Sequence, residues 1–420
     1  MAVIAAKPRR RWRLQPWPIG FTVAAVVVFI FYQYVLPNLN MQARAGFQHW
    51  LPLVSVNEAL VWVICALGLN IVVGFAGLLD LGFVAFWAIG GYVAGWLMSD
   101  FMGAFGVKVS IFGSALPGAA GMHVSFWMVL IAGAVFCGIW GLIIGAPTLR
   151  LRSDYLALVT LGFGEIIPQF FLRGEHVFGH NVTNGSKGIS PVDSIESVRF
   201  TKAGVSYDKL GPFDLTSKYL IFVLLTALIV FISLRIREGR LGRAWLAIRE
   251  DELAASAMGV PLMRTKLSAY AVGAIAGGIG GVAYATHVNG AFPDKFNFSV
   301  SIILLSMVVL GGMGNVWGVM LGALLLAWVN STGLNETGNA INSAFHSNID
   351  FSSYNFLVFG LVLVLMMLFR REGILPESRT RLVLREPGRT ELESVGTDLE
   401  EAAPELDELE SIATEERRTS

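Results

Sequence analysis

Two acidic residues stand inside otherwise apolar stretches, where a carboxylate has few uses. Asp80 interrupts a run that is apolar from Ile71 to Met98. Glu165 lies near the middle of the segment 153–172, between Gly164 and Pro168. If these stretches cross a membrane, a charge within them is costly and marks a path for a polar solute or a fixed pairing. Asp80 has two readings, a place on such a path or an N-cap for a helix beginning at Leu81. For Glu165 the choice is between solute contact and a structural hydrogen bond to a neighbouring helix. Pro168 frees a backbone carbonyl one turn earlier and weakens the helix near Gly164. Asn57 and Glu58 belong to the edge of a span.

Glycines form the second set. Gly74, Gly77 and Gly82 can break a helix, as can Gly311, Gly312 and Gly314. Broken helices expose backbone groups, and their N-termini suit an anionic carboxylate. The same glycines also serve close helix packing, and both uses are compatible. A translocation path is therefore expected among Gly74, Gly77, Asp80, Glu165, Gly311 and Gly312. No engine accompanies it. The chain has no GxxxxGK[ST] phosphate loop; its nearest imitation is Asn184-Gly185-Ser186-Lys187-Gly188. HExxH, CxxC and GxSxG are also absent. The two cysteines, Cys65 and Cys137, lie in apolar runs and read as inert thiols. No catalytic residue, metal site or cofactor is expected, and no nucleic-acid partner.

The elements that hold these residues are membrane spans. Of 420 residues, 54% are hydrophobic and 15% charged, which excludes an ordinary soluble domain. Ten apolar segments are visible, at approximately 19–36, 54–73, 82–99, 124–145, 153–172, 219–237, 267–287, 300–313, 314–330 and 354–370. The expected fold is all-α and polytopic, with about ten transmembrane helices and glycine-broken segments. The pair 300–313 and 314–330 reads either as two tilted spans or as one re-entrant pair. The run after the basic N-terminus, residues 1–18, is too long for a signal-peptide core and reads as a retained first span. The positive-inside rule places the N-terminus, Arg150 and Arg152, the island from Arg235 to Lys266, and Arg370 and Arg371 in the cytoplasm. The loops 37–53, 100–123, 173–218, 288–299 and 331–353 fall outside, and both termini inside. The membrane-spanning body runs over 19–375. The tail, 376–420, is acidic: from Arg385 onward it holds twelve acidic and four basic residues, and it reads as a disordered, solvated segment.

One long polar interruption, 238–266, separates two spans. Its core from Glu250 to Met258 has good helix formers, acids early, Gly259 just past the end and then Pro261. Leu253, Ala257 and Val260 lie at helical spacing and form a small apolar face. Such a helix is either an ordinary amphipathic loop or a docking element for another protein.

Several motifs carry a resemblance. Leu253-Ala254-Ala255-x-x-x-Gly259 looks like the loop by which ABC importer permeases engage their ATPases. Leu69 to Gly82 with Phe86 and Gly90-Gly91-Tyr92, Leu151 to Ile166, Asn181-x-Thr183-Asn184-Gly185-x-x-Gly188-Ile189, and Val308 to Gly314 with Gly318 and Gly322 come in order. Together they resemble the ABC permease family for branched-chain amino acids, LivM-type subunit, over roughly residues 55–375. Leu253 stands where the wider importer motif has Glu, and the adjacent Glu252 is the substitute at hand. The resemblance implies a coupling loop at Glu252, Leu253, Ala254, Ala255 and Gly259. It also implies a homologous permease partner in a heterodimer, two cytoplasmic ATPases, an extracytoplasmic solute-binding protein and the bacterial inner membrane. ATP hydrolysis would belong to the partners, so the chain itself is not an enzyme. Urea or a short amide is the alternative solute within the class. From another class, an ATPase-independent secondary transporter or channel is the rival.

Overall fold

The computed structural model describes residues 16–111, 120–151, 153–177, 179–201, 204–209, 215–345, 351–370 and 372–375. The chain divides into a unit Met1–Leu375 and a unit Pro376–Ser420. The tail reading and the basic N-terminal cluster lie outside the described residues, as do Arg152 and Arg371.

Fourteen helices are described: α1 (Pro16–Ile30), α2 (Met41–Trp50), α3 (Leu53–Asn70), α4 (Val84–Leu97), α5 (Phe126–Thr148), α6 (Ser153–Arg173), α7 (Leu215–Glu238), α8 (Arg240–Glu250), α9 (Glu252–Ala257), α10 (Leu262–Val288), α11 (Phe298–Gly311), α12 (Val316–Trp328), α13 (Leu334–Phe345) and α14 (Asn355–Phe369). Among the described residues, eight helical stretches are long and apolar enough to cross a membrane, and α4 and α14 are shorter apolar helices. Each of the ten apolar segments of the sequence thus holds a helix. The pair 300–313 and 314–330 resolves into two separate helices, α11 and α12, joined by a tight turn at Gly312 to Asn315.

Two elements arise where loops were expected. Helix α2 lies in 37–53 and α13 in 331–353; both are amphipathic rather than uniformly apolar, so they escape a search for apolar runs. Small β-structures also stand outside the spans. Strands β1 (Met98–Ser99) and β3 (Gly121–Val124) pair antiparallel, β2 (Lys108–Ile111) pairs parallel with β3, and β4 (Glu196–Thr201) forms a hairpin with β5 (Gly204–Lys209).

The core is built around α10, which packs on α3, α4 and α5. Its small residues let backbones touch. A Cβ on Gly278 would fall 2.7 Å from the carbonyl oxygen of Gly133 in α5. One on Gly281 would fall 2.2 Å from the carbonyl of Trp87 in α4. With little hydrophobic force between helices in lipid, this close packing is a main source of cohesion. Aromatic rings add to this packing: Trp87 meets Trp62, Tyr284 and Phe296 edge-on at 4.8, 4.9 and 6.0 Å. The same close approach joins α11 to α12, where a Cβ on Gly318 would lie 2.2 Å from the carbonyl of Gly311.

Gly281→Val is expected to destabilise the fold by about 1–3 kcal/mol through overpacking. Thermal unfolding in detergent reads this as a lowered midpoint, whereas Gly360→Ala, where a Cβ meets nothing within 4 Å, does not lower it.

Candidate functional site

The polar interruption folds as two helices rather than one. Helix α8 starts at a sharp corner at Gly239, and the corner needs Gly242, whose Cβ would lie 2.4 Å from the carbonyl oxygens of Ile236 and Arg237. Gly242, Trp245 and Ile248 form its buried face. Trp245 is fully buried, and its Nε1–H donates to the Thr265 carbonyl and to Ser268 Oγ, both at 3.0 Å. That pins α8 to the start of α10. The expected single helix from Glu250 to Met258 is split because Asp251 takes extended backbone angles and caps α9, which begins at Glu252. Its Oδ1 accepts from Leu253 N at 2.7 Å and Ala254 N at 3.0 Å, the geometry of a strong N-cap. Gly259, at φ +83°, ends α9, and Val260 N donates back to the Ala255 carbonyl at 3.0 Å.

The residues of α9 and of the turn that ends it divide cleanly. Ala255 is buried against the protein's own loop, and Glu252 turns to Lys266 in an ion pair at 2.6 Å. Leu253 and Met258 point away from the chain, 80% and 85% exposed. Ala254 and Ala257 are also exposed, and Val260 is half-buried. A cavity of about 520 Å³ lies alongside, with Arg150, Glu252 and Lys266 in its wall. Met258 went unread in the sequence, although a Met at the end of a polar loop is itself a signal for an apolar contact.

This loop reaches the first glycine cluster. Beyond Asn70, α3 continues as a π-helical turn, Ile71–Phe75. Arg249 of α8 donates from Nη1 to the Gly74 carbonyl, and its Cγ would lie 3.0 Å from a Cβ on Gly77, which sits at φ +69°. Arg237 places its guanidinium 5.8 Å from the Phe75 ring centre. Asn70 Oδ1 accepts from Gly314 N at 2.9 Å, joining the break in α3 to the α11–α12 turn. Gly74, Gly311 and Gly312 are buried, and Gly77 is exposed. Gly312, at φ +109°, packs under the Leu375 carbonyl, 2.5 Å from where its Cβ would be. The late glycines therefore make a packed turn.

The two carboxylates part company. Asp80 is buried in the link between α3 and α4, with Oδ1 accepting from Gly82 N at 2.9 Å. Helix α4 starts at Val84, so Asp80 closes a local turn ahead of the helix and does not cap it at Leu81. Burial pushes its carboxyl up to about 6, against the Gly82 N–H and the Thr160 side chain, which pull it down. Glu165 takes another course. Gly164 packs on Gly82, which turns the next residue outward, and Glu165 is exposed with no hydrogen bond among the described residues. It shares that face of α6 with Tyr155, Leu158, Ile166 and Phe170. Among the described residues, the expected bond to a neighbouring helix is not formed. Asn57 is buried at the opposite end of α3, donating to the Leu215 carbonyl at 3.0 Å, and Glu58 accepts from Trp62 Nε1 at 3.3 Å.

Comparison with known families decides the class. Residues 51–367 match the model of the branched-chain amino acid transport system permease component. The chain belongs to this permease family. It is 35% identical to the high-affinity branched-chain amino acid transport system permease protein LivM of Salmonella typhimurium over 342 residues, 78% of this chain and 70% of that one. The LivM protein of Escherichia coli K12 is 34% identical with the same coverage. The LivH permease protein of that strain is 25% identical, over 76% of this chain and 93% of its own. No solved structure matches. A transport permease is not an enzyme, and this permease is a multi-pass membrane protein.

At the far end of the permease the loops are held by polar clasps. The Asn181-to-Ile189 motif coils on itself: Asn184 takes φ +61° and its Nδ2 donates to the Gly188 carbonyl at 2.7 Å. His123 of β3 is buried between Asp193 Oδ2 at 2.6 Å and Asp100 Oδ1 at 3.1 Å, with the Ala120 carbonyl at 3.1 Å. Every partner accepts, so only the imidazolium donates from both nitrogens. Burial opposes the charge, but the bond and charge of Asp193, with Ala120 and Asp100, raise its pKa. A free histidine titrates at about 6.5. The clasp therefore adds full stability below that value and loses it as pH rises through the raised pKa. Hydrogen exchange of 98–101 and 121–124 is expected to quicken across that rise in the wild type, and His123→Asn removes the pH step.

Proposed function

We propose that the chain is one membrane-spanning subunit of an ATP-driven ABC importer for branched-chain or related apolar amino acids. In this reading it sits in the bacterial cytoplasmic membrane with both termini inside and pairs with a homologous permease. An extracytoplasmic binding protein delivers solute, and two cytoplasmic ATPases drive the cycle. The observation that carries the reading is α9, a capped, braced helix that, with its C-cap, holds Leu253 and Met258 where nothing among the described residues covers them. An apolar pair fixed on a rigid mount is what a protein partner needs, since ordering costs have already been met within the fold. The match to LivH, a second permease protein, supports a homologous partner.

The partner permease also accounts for Glu165. An exposed carboxylate in the middle of a span is costly against lipid. The α6 face bearing it therefore turns to the second permease and the water-lined path between the two. ATP-driven closure of the ATPases would move α9 and switch that path from outward-open to inward-open.

Three measurements test this. Leu253→Asp and Met258→Asp are each expected to cost about 2 kcal/mol of binding, roughly 30-fold in affinity, so ATPases fail to co-purify while the permease stays folded. Retained co-purification in both contradicts the docking role. Glu165→Gln is expected to change uptake kinetics with assembly intact; wild-type kinetics would remove it from the path. Uptake of labelled leucine against urea, each with its own binding protein, fixes the solute class.

A further inference from the structure

We propose that Arg249 is the positioning residue that carries movement of α9 into the membrane, by holding the Gly74 carbonyl where α3 loses its regular hydrogen bonding. The proposal rests on the importer reading above and adds the part through which force enters the bundle.

The geometry begins at the break. In the turn after Asn70, Ala76 N donates to the Ile71 carbonyl at 3.3 Å and Leu78 N to the Val72 carbonyl at 3.1 Å. Leu78 N is the donor an α-helix would direct to Gly74. The Gly74 carbonyl thus lacks its helical donor, and leaving such a group unmet costs about 1–3 kcal/mol when buried. Arg249 meets it. The approach is possible because Gly77 has no side chain: the arginine stem lies over it, with Cγ and Cβ 3.0 and 3.3 Å from where a Cβ would stand. Two glycines of the break therefore have one partner in common, and that partner belongs to the polar loop.

Both directions from Arg249 are short and stiff. Toward α9, Glu250 and Asp251 are the intervening residues, and Asp251 is the cap of α9. Only Asp251 separates the end of α8 from the start of α9, so a push on α9 moves α8 with it. Toward the membrane, a Cβ on Gly74 would lie 2.6 Å from Gly314 N, and Asn70 holds the same N–H. Displacing the break therefore displaces the α11–α12 turn. The planar guanidinium keeps several donors in a fixed fork, which an ammonium cannot reproduce.

A residue that merely satisfied a stray carbonyl would change stability alone; a positioning residue changes how much transport each hydrolysis yields. The test uses the whole transporter in vesicles with its binding protein, reading ATP hydrolysis and leucine uptake together. For Arg249→Gln, hydrolysis is expected to stay within about two-fold of wild type while uptake falls about ten-fold or more, inside the range of a typical coupling free energy. Arg249→Lys is expected to recover part of the uptake. Unchanged uptake overturns the proposal, as does a fall in both readings together or failure of either variant to assemble. If the wild-type vesicles show no ATP-driven uptake, the importer reading fails first and the proposal falls with it.

Discussion

Backbone contact along α10 is the constraint on which the rest depends. Gly278 meets the carbonyl of Gly133, and Gly281 meets that of Trp87, at separations that leave no room for a side chain. In lipid, where an apolar side chain gains little from touching another, such packing supplies much of the cohesion. It also fixes α3, α4 and α5 relative to one another. Helix α10 is thereby a rigid post, and its first turns carry the polar loop.

The attached element is the polar loop. Trp245 bonds the Thr265 carbonyl, and Lys266 binds Glu252, so α8 and α9 are mounted on the first turns of α10. From the same mount, Arg249 and Arg237 reach the π-helical end of α3. The bundle therefore combines a stiff centre with one place where regular helix is interrupted, and the loop touches that place directly. A transport subunit needs both: a body that does not yield, and a weak point that does.

Much of this was legible in the chain. Long apolar runs with few charges located every span, because crossing lipid demands internally bonded helix. The loop stood out as polar residues between two such runs. The features that escaped detection depended on partners far away in sequence, or on a weaker pattern. Helices α2 and α13 are amphipathic and lack the apolar signal. Asn70 lies in an otherwise apolar run, and its role appears only when Gly314 is brought beside it. Arg249 looked like one more basic residue in an arginine-rich loop, since its partner Gly74 is 175 residues away. Asp251 looked like an ordinary early acid, yet its backbone divides the loop helix in two. Glu165 illustrates the reverse: its place in the span was evident, but its direction was set by Gly164 packing on Gly82.

The central claim is that solute movement through this subunit is driven by proteins docked on α9. The most direct measurement is labelled leucine uptake into vesicles holding the permease pair, with ATPases and binding protein added or withheld. The account predicts uptake that needs both, along with ATP on the α9 side. Uptake of equal rate in vesicles without the ATPases would contradict it and make the chain a carrier or channel that works alone.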